Sequence, residues 1–254
     1  MKIFDLGGKT AIVTGSSRGI GRAIAEQMAL AGAKVVVSSR KAPACEEVVA
    51  GIKAAGGKAI AVPCNIGDKA QLKTLVDKTR DTFGAADILV CNAAVNPYYG
   101  PLTEIPDEAF DKIMASNVRS NLWLCAMVLP EMAKKQDGAV IVVSSIGGLR
   151  GGKTLGAYGI SKAADMQLVR SLAAEWGTHN IRVNCIAPGL VKTDFARALW
   201  ENPEYLQRRL KTSPLARIGD PIDIAGMAVL MAADAGRFMT GQTVVIDGGV
   251  TIAS

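Results

Sequence analysis

Short runs rich in β-branched and apolar residues recur along the chain: Thr10 to Thr14, Lys34 to Ser38, Ala59 to Pro63, Ile88 to Cys91, Ala139 to Ser144, Arg182 to Ile186 and Thr243 to Ile246. Consecutive apolar positions of this kind predict buried strands. Between them lie stretches with helical character, Ile20 to Ala31, Pro43 to Ala55, Lys69 to Phe83, Asp107 to Lys135, Ala157 to Gly177 and Pro221 to Ala233, closed by breakers such as Gly32, Gly56-Gly57 and Gly84. Strand and helix alternating in this way imply right-handed βαβ crossovers. The expected architecture is α/β: a doubly wound, seven-stranded parallel sheet with helices on both faces. No linker, repeat or low-complexity tract interrupts the alternation, so residues 1–254 are expected to form one domain.

In such a sheet, ligands bind beyond the carboxyl ends of the strands, where the strand order reverses. The residues that follow the runs are therefore informative: Gly15 to Gly21, Ser39 and Arg40, Asn65, Asn92, Ser144 and Ser145, and Pro188-Gly189. The first of these stretches, Thr14-Gly15-Ser16-Ser17-Arg18-Gly19-Ile20-Gly21, leads from a strand into a helix whose free amides suit an anion. Its glycines do not follow G-x-G-x-x-G, and a tight strand-to-helix connection is the alternative reading. After the second run, where an acid would bind ribose hydroxyls, the chain reads Ser38-Ser39-Arg40-Lys41. Arg40 can fork onto phosphate oxygens, Ser39 can donate a hydroxyl, and Arg18 can cover the same group. This predicts NADP(H) in preference to NAD(H); Arg40 stacked on adenine is the competing reading.

Tyr158 and Lys162, four apart, share one face if their segment is helical, and Ser145 lies thirteen residues upstream. A free tyrosine titrates near ~10 and is a weak acid/base group at neutral pH. An ammonium ~4 Å away at an effective dielectric of ~20 contributes ~4 kcal/mol, which would lower that value by about three units. Small residues, Gly156, Ala157, Gly159, Ser161, Ala163 and Ala164, surround the pair, as though something flat packs there. The plain alternative is a solvated helix face.

The bulk numbers narrow the field. The 254 residues, 49% of them apolar and 20% charged, suffice for a large core. The net charge of +6 is spread along the chain and aromatics are 5%, which argues against nucleic acid and suits a ligand with several phosphates. The five cysteines, Cys45, Cys64, Cys91, Cys125 and Cys185, form no C-x-x-C pair and read as reduced core residues. Neither the start, Met1 to Leu6, nor the end, Ile252-Ala253-Ser254, carries a recognisable address, and no apolar run is long enough to span a bilayer. A cytoplasmic protein with no membrane partner is expected.

Gly15-Ser16-Ser17-Arg18-Gly19 also matches the nucleophile elbow of hydrolases, which would require the sole histidine, His179, to reach Ser17. One histidine also excludes a His-rich zinc site. A protein that binds a dinucleotide without catalysis is the reading from another class.

Taken together, these motifs resemble the short-chain dehydrogenase/reductase family nearly end to end. Its T-G-x-x-x-G-x-G corresponds to Thr14 to Gly21, its N-A-G to Asn92-Ala93-Ala94, its asparagine to Asn117, its serine to Ser145, its Y-x-x-x-K to Tyr158 to Lys162, and its P-G turn to Pro188-Gly189. The resemblance implies Tyr158 as acid or base, Ser145 as donor to the substrate oxygen, and Lys162 as holder of the nicotinamide ribose. Asn117 would support a proton-relay water; a buried amide at a helix bend is its alternative. The implied cofactor site comprises Gly15, Ser17, Arg18, Gly19, Ile20, Gly21, Ser39, Arg40, Asn65, Ile66, Asn92, Ala93, Tyr158, Lys162, Pro188, Gly189, Val191 and Thr193. Ala94 in place of glycine, and Asn65 where aspartate is common, depart from the pattern.

Within the family, Ser38 to Lys41, Asn92 to Gly100 and Ala187 to Thr193 look most like peroxisomal-type NADPH carbonyl and retinal reductases. A 3-oxoacyl carrier-protein reductase is the alternative. Residues 190–213, with Phe195, Leu199, Trp200 and Tyr205, are expected to form a lid over a small carbonyl or alcohol substrate. The long helices Asp107 to Lys135 and Ala157 to Gly177 would pair into a homodimer or homotetramer.

Overall fold

The computed structural model describes residues 2–253; Met1 and Ser254, the outermost residues of the segments read for targeting signals, lie outside it. Seven strands form one all-parallel sheet: β1 (Thr10–Thr14), β2 (Lys34–Ser38), β3 (Lys58–Ala61), β4 (Ile88–Cys91), β5 (Gly138–Val143), β6 (Ile181–Pro188) and β7 (Thr243–Ile246). Their order is β3-β2-β1-β4-β5-β6-β7. The expected α/β architecture is therefore present, with the order reversing between β1 and β4.

The helices are α1 (Gly19–Leu30), α2 (Ala42–Ala54), α3 (Lys69–Phe83), α4 (Asp107–Met114), α5 (Ser120–Lys135), α6 (Gly156–Trp176), α7 (Arg197–Trp200), α8 (Pro203–Lys211) and α9 (Pro221–Ala232). Alternate strand residues point to opposite faces and so feed two cores. Val13, Val35, Val37, Val90 and Ile141 pack with Ile24, Met28, Val48 and Ala228 of α1, α2 and α9. Ile12, Val36, Leu89, Val140 and Val142 pack with Leu72, Leu75, Leu124, Val128 and Val169 of α3, α5 and α6. Burial on both faces explains why the strands read as continuous apolar runs.

One predicted element is divided. The stretch Asp107 to Lys135 was expected as one helix, but a π-helical turn at Ala115–Arg119 separates α4 from α5. A π-turn admits an extra residue and rotates the side chains that follow. Here it buries Ser116, Asn117, Ser120 and Asn121, polar residues that straight amphipathic periodicity would not place together.

The two-core arrangement predicts a contrast in stability. Ile24→Ala, at a site with no exposed surface between α1 and α9, lowers stability by about 3 kcal/mol and Tm by roughly 6–12 °C. Leu30→Ala, 64% exposed on the same helix, changes stability by less than about 0.5 kcal/mol. Thermal unfolding followed by circular dichroism reads both; equal effects would contradict the packing described.

Candidate active site

The carboxyl ends of β1 and β4 are tied together at the point where the order reverses. The Thr14 hydroxyl donates to the Val90 carbonyl at 3.2 Å and accepts from the backbone N–H groups of Asn92 and Ala93 at 3.0 and 3.1 Å. The Asn92 side-chain amide donates to the Thr14 and Gly15 carbonyls at 2.9 and 3.2 Å. Asn92 and Ala93, expected at the cofactor, thus shape the glycine turn by holding its backbone. A Cβ on Gly21 would lie 2.4 Å from Asn92 Nδ2 and 2.4 Å from the Gly15 oxygen, so only hydrogen fits there. Gly15 adopts φ 65°, and a Cβ on it would sit 2.9 Å from Ala93 Cα.

α1 starts at Gly19 with no side-chain cap and no acid in its first turn. Its leading amides and positive dipole end face the turn without a protein anion, which fits a cofactor pyrophosphate. Ser17 is half-buried in this turn, and Ile20 packs against the core below it. Arg18 is exposed, with its guanidinium 3.3 Å from Asp194. This pair bridges the glycine turn to the segment after β6.

Beyond β2, the Ser39 hydroxyl contacts the Cys45 thiol at 3.3 Å. Arg40 is exposed and has no ion-pair partner among the described residues. Asn65 Oδ1 accepts from the Gly67 N–H at 3.2 Å in a local turn, beside half-buried Ile66. Pro188 ends β6, and the Gly189 N–H donates to the Ile246 carbonyl at 2.9 Å. Val191 is buried, and the Thr193 methyl approaches Gly19, where an added Cβ would meet it at 3.1 Å.

The residues expected to do chemistry follow β5 and open α6. The Ser144 hydroxyl is buried and donates to the Lys162 carbonyl at 2.7 Å. Ser145 is half-buried, and its oxygen accepts from the Gly147 N–H at 3.0 Å. The choice of Ser145 over its neighbour therefore falls on the hydroxyl nearer the surface. A Cβ on Gly148 would lie 2.7 Å from the Lys162 carbonyl carbon, and one on Gly159 would lie 2.8 Å from the Gly147 oxygen. The small residues around Tyr158 thus admit the Ile146–Gly148 turn, backbone against backbone.

Tyr158 is half-buried, its ring 6.0 Å from Phe195. Lys162 is only 2% exposed; its Nζ donates to the Val143 carbonyl at 3.0 Å and to Asp165 Oδ2 at 2.9 Å, and lies 5.7 Å from the Tyr158 ring centre. Asp165 Oδ1 accepts from Asn121 Nδ2 at 3.0 Å, and the same amide donates to the Asn117 carbonyl at 2.6 Å. Asn117 bonds through its side chain to both backbone groups of Val95, at 2.8 and 3.0 Å, and to Ser161 Oγ at 3.0 Å. It is a buried amide tying the π-turn to the loop after β4 and to α6.

The electrostatics differ from the sequence-based expectation. Burial pushes the Tyr158 phenol above its ordinary value near 10; Lys162 pulls it down, Asp165 pushes it up, and the neighbouring Ser145 hydroxyl pulls it down. Lysine alone was expected to bring the phenol toward neutrality. Instead, the ammonium is turned into a carboxylate and a carbonyl, and its charge is largely met there. Burial, the largest single effect, pulls the Lys162 ammonium down; the Asp165 charge, the Tyr158 phenol and the hydrogen bond to Asp165 together outweigh it, so its net shift is upward. Sequence reasoning missed Asp165 and Asn121. The available signal was an acid three residues after Lys162, on the same helix face.

The hydrolase reading fails on topology. Ser17 follows the carboxyl end of β1, whereas His179 precedes the amino end of β6, at the opposite end of the strands of a parallel sheet. His179 instead meets Gln136 and Trp176.

A seven-stranded Rossmann sheet with Ser, Tyr and Lys gathered beside an uncapped phosphate-type turn defines a nucleotide-linked oxidoreductase class. Residues 15–251 match the family profile described as Enoyl-(Acyl carrier protein) reductase. The chain is 41% identical over 244 residues to Dehydrogenase/reductase SDR family member 4 of Bos taurus, covering 96% of this chain and 88% of that protein. It superposes on a 7α-hydroxysteroid dehydrogenase complexed with NADH and 7-oxo glycochenodeoxycholic acid with a TM-score of 0.94, at 38% identity over 98% of this chain and 96% of that one. A gluconate 5-dehydrogenase from Burkholderia cenocepacia in complex with NADP and tartrate gives a TM-score of 0.95, at 29% identity over 100% and 99%. The chain belongs to the short-chain dehydrogenase/reductase family, as its motifs implied.

The glycine turn yields a direct test. Gly21→Ala forces Asn92 or the Gly15 carbonyl out of place and weakens nicotinamide cofactor binding at least about tenfold, read by cofactor fluorescence. Gly226→Ala, in α9 with nothing within 4 Å of the added methyl, leaves binding unchanged and is neutral or stabilising.

Proposed function

We propose that the protein is an NADP(H)-dependent reductase that converts a ketone or aldehyde to its alcohol, or runs the reverse, with Tyr158 as acid/base. The observation that carries this reading is the convergence of Ser145, Tyr158 and Lys162 at the carboxyl end of β5, beside the open start of α1. The nicotinamide cofactor supplies or accepts the hydride. The phenol of Tyr158 gives its proton to the substrate oxygen in reduction and takes it back in oxidation. Ser145 donates to that oxygen as charge develops. Lys162 has three N–H donors, two of them fixed by Val143 and Asp165; the third is available to a ribose hydroxyl. Asn117 serves by holding the loop after β4 against α6.

The preference for NADP(H) rests on Ser38-Ser39-Arg40-Lys41, which offers no acid beyond β2 and leaves Arg40 exposed; NAD(H) is the alternative. The remaining expected contacts, Asn65, Ile66, Pro188, Gly189, Val191 and Thr193, line the same strand ends. Residues 190–213 act as the lid of a single functional domain. Of its aromatic residues, Phe195 meets the catalytic phenol, Trp200 bonds to the Thr193 carbonyl at 2.8 Å, and Tyr205 sits among Arg208 and Arg209. Phe195 at the phenol favours an apolar carbonyl substrate. An acyl-carrier thioester is the second reading, favoured by the description of the matched profile.

Exposed Leu122 on α5 and Ile160 on α6 support pairing of these helices across a twofold axis into a dimer or tetramer. Five buried free cysteines support a reducing, cytoplasmic setting. Among the described residues, no helix is long and apolar enough to cross a membrane.

The test is consumption of NADPH against NADH over ketones, quinones, diketones, retinal-like aldehydes and 3-oxoacyl thioesters. Tyr158→Phe is expected to lower turnover by about 10²–10⁴-fold with cofactor binding intact. Arg40→Ala is expected to weaken NADPH binding about 10–100-fold and leave NADH unchanged. Turnover that survives Tyr158→Phe, or a faster reaction with NADH, would overturn the corresponding assignment.

A further inference from the structure

One helical turn beyond Lys162, Asp165 has no exposed surface, and the acid/base scheme above does not use it. Its two carboxylate oxygens are divided between different elements: one accepts from Lys162 Nζ at 2.9 Å, the other from Asn121 Nδ2 at 3.0 Å. The Val143 carbonyl at the end of β5 takes a second lysine donor at 3.0 Å. Two acceptors on separate elements fix the direction of the remaining N–H of the ammonium. Asn121 is in turn fixed by the Asn117 carbonyl inside the π-turn, so the carboxylate has little freedom to follow a moving lysine.

The groups facing this carboxylate are few. α6 contributes Lys162 and Tyr158, α5 contributes Asn121, β4 contributes Cys91, which lies against Cys125 of α5, and β6 contributes Cys185. Burial pushes Cys185 up to about 11; contact with Cys125, together with burial, pushes Cys91 well above its ordinary value. Both thiols are neutral at physiological pH. The charge of the cluster is therefore set by Lys162 and by Asp165, whose carboxyl burial pushes up and Lys162 and Asn121 pull back down.

We propose that Asp165 is a positioning residue of this active site, which aims the Lys162 ammonium and offsets its charge so that Tyr158 is held as the phenol, the proton-donating form used in carbonyl reduction. This rests on the acid/base role given to Tyr158 above. It deepens that role by assigning the direction the site favours. While Lys162 keeps its proton, an ammonium without a buried counter-charge would act on the phenol at full strength and favour the phenolate, the form that starts alcohol oxidation. The Asp165 charge works in the opposite sense, raising Tyr158.

The experiment replaces the carboxylate with two neutral groups, Asp165→Asn and Asp165→Ser, and with a charged one, Asp165→Glu. Tyr158 ionisation is followed by ultraviolet phenolate absorbance against Tyr158→Phe, which needs no substrate, and alcohol oxidation is followed as a function of pH. In the neutral variants the phenol is expected to ionise about one pH unit lower or more, with the acid limb of alcohol oxidation moving the same way. Asp165→Glu is expected to return both toward the unaltered protein. A shifted phenol in a protein that turns over no carbonyl or alcohol supports the charge relation while ending the functional reading. Folded neutral variants that titrate like the unaltered protein would overturn the proposal, as would Asp165→Glu shifting as far as they do.

Discussion

Lys162 carries an ammonium into a region where almost none of its side chain meets solvent, and the surrounding polar architecture answers that charge. Removing one partner of a buried ion pair leaves the other uncompensated, at a cost of roughly 3–5 kcal/mol. Asp165 supplies the counter-charge, the open end of β5 supplies a carbonyl, and Asn121 satisfies the second carboxylate oxygen. Asn121 can reach that oxygen because the π-turn at Ala115–Arg119 rotates the start of α5 inward. A local irregularity in one helix is thus coupled to the charge on another.

The nucleotide end answers a different constraint with equal economy of parts. Where β1 and β4 diverge, a single hydroxyl, Thr14, and a single amide, Asn92, bind the two strand ends to each other. The glycine turn is held so tightly that Gly21 tolerates no side chain, which leaves the first amides of α1 at a fixed place. Anion binding by a helix start needs no flexible arm, only amides that are already aligned. Across the mouth, Thr193 approaches Gly19 and Asp194 pairs with Arg18, so the segment after β6 is referenced to the same turn.

Much of this was legible in the chain. Seven apolar runs and the breakers between them gave strands close to those observed, because a parallel sheet buried on both faces leaves a continuous signal. The glycine turn, Ser145, Tyr158 and Lys162 were found because each motif has a local spacing set by backbone geometry. The π-turn is not visible in the sequence, since the bonds that accompany it, from Asn117 to Val95 and Ser161, join segments far apart in the chain. Asp165 does not stand out in the sequence, because an acid three residues from a lysine reads as an ordinary surface pair until burial is known. The small residues around Tyr158 mark a close approach in the sequence, and in the structure the Ile146–Gly148 turn makes it. Lys162 alone does not set the phenol, for the same reason: the ammonium's nearest partners are Val143 and Asp165.

The site depends on Lys162 and Asp165 being held as one buried pair. The most direct measurement is a double-mutant cycle in urea with Lys162→Met, Asp165→Leu and the two combined. Each single change is expected to lower stability by roughly 3–5 kcal/mol, and the combined change to recover most of that loss. Single changes that cost little, with the double variant equal to their sum, would mean that the two groups do not depend on each other and would contradict the account.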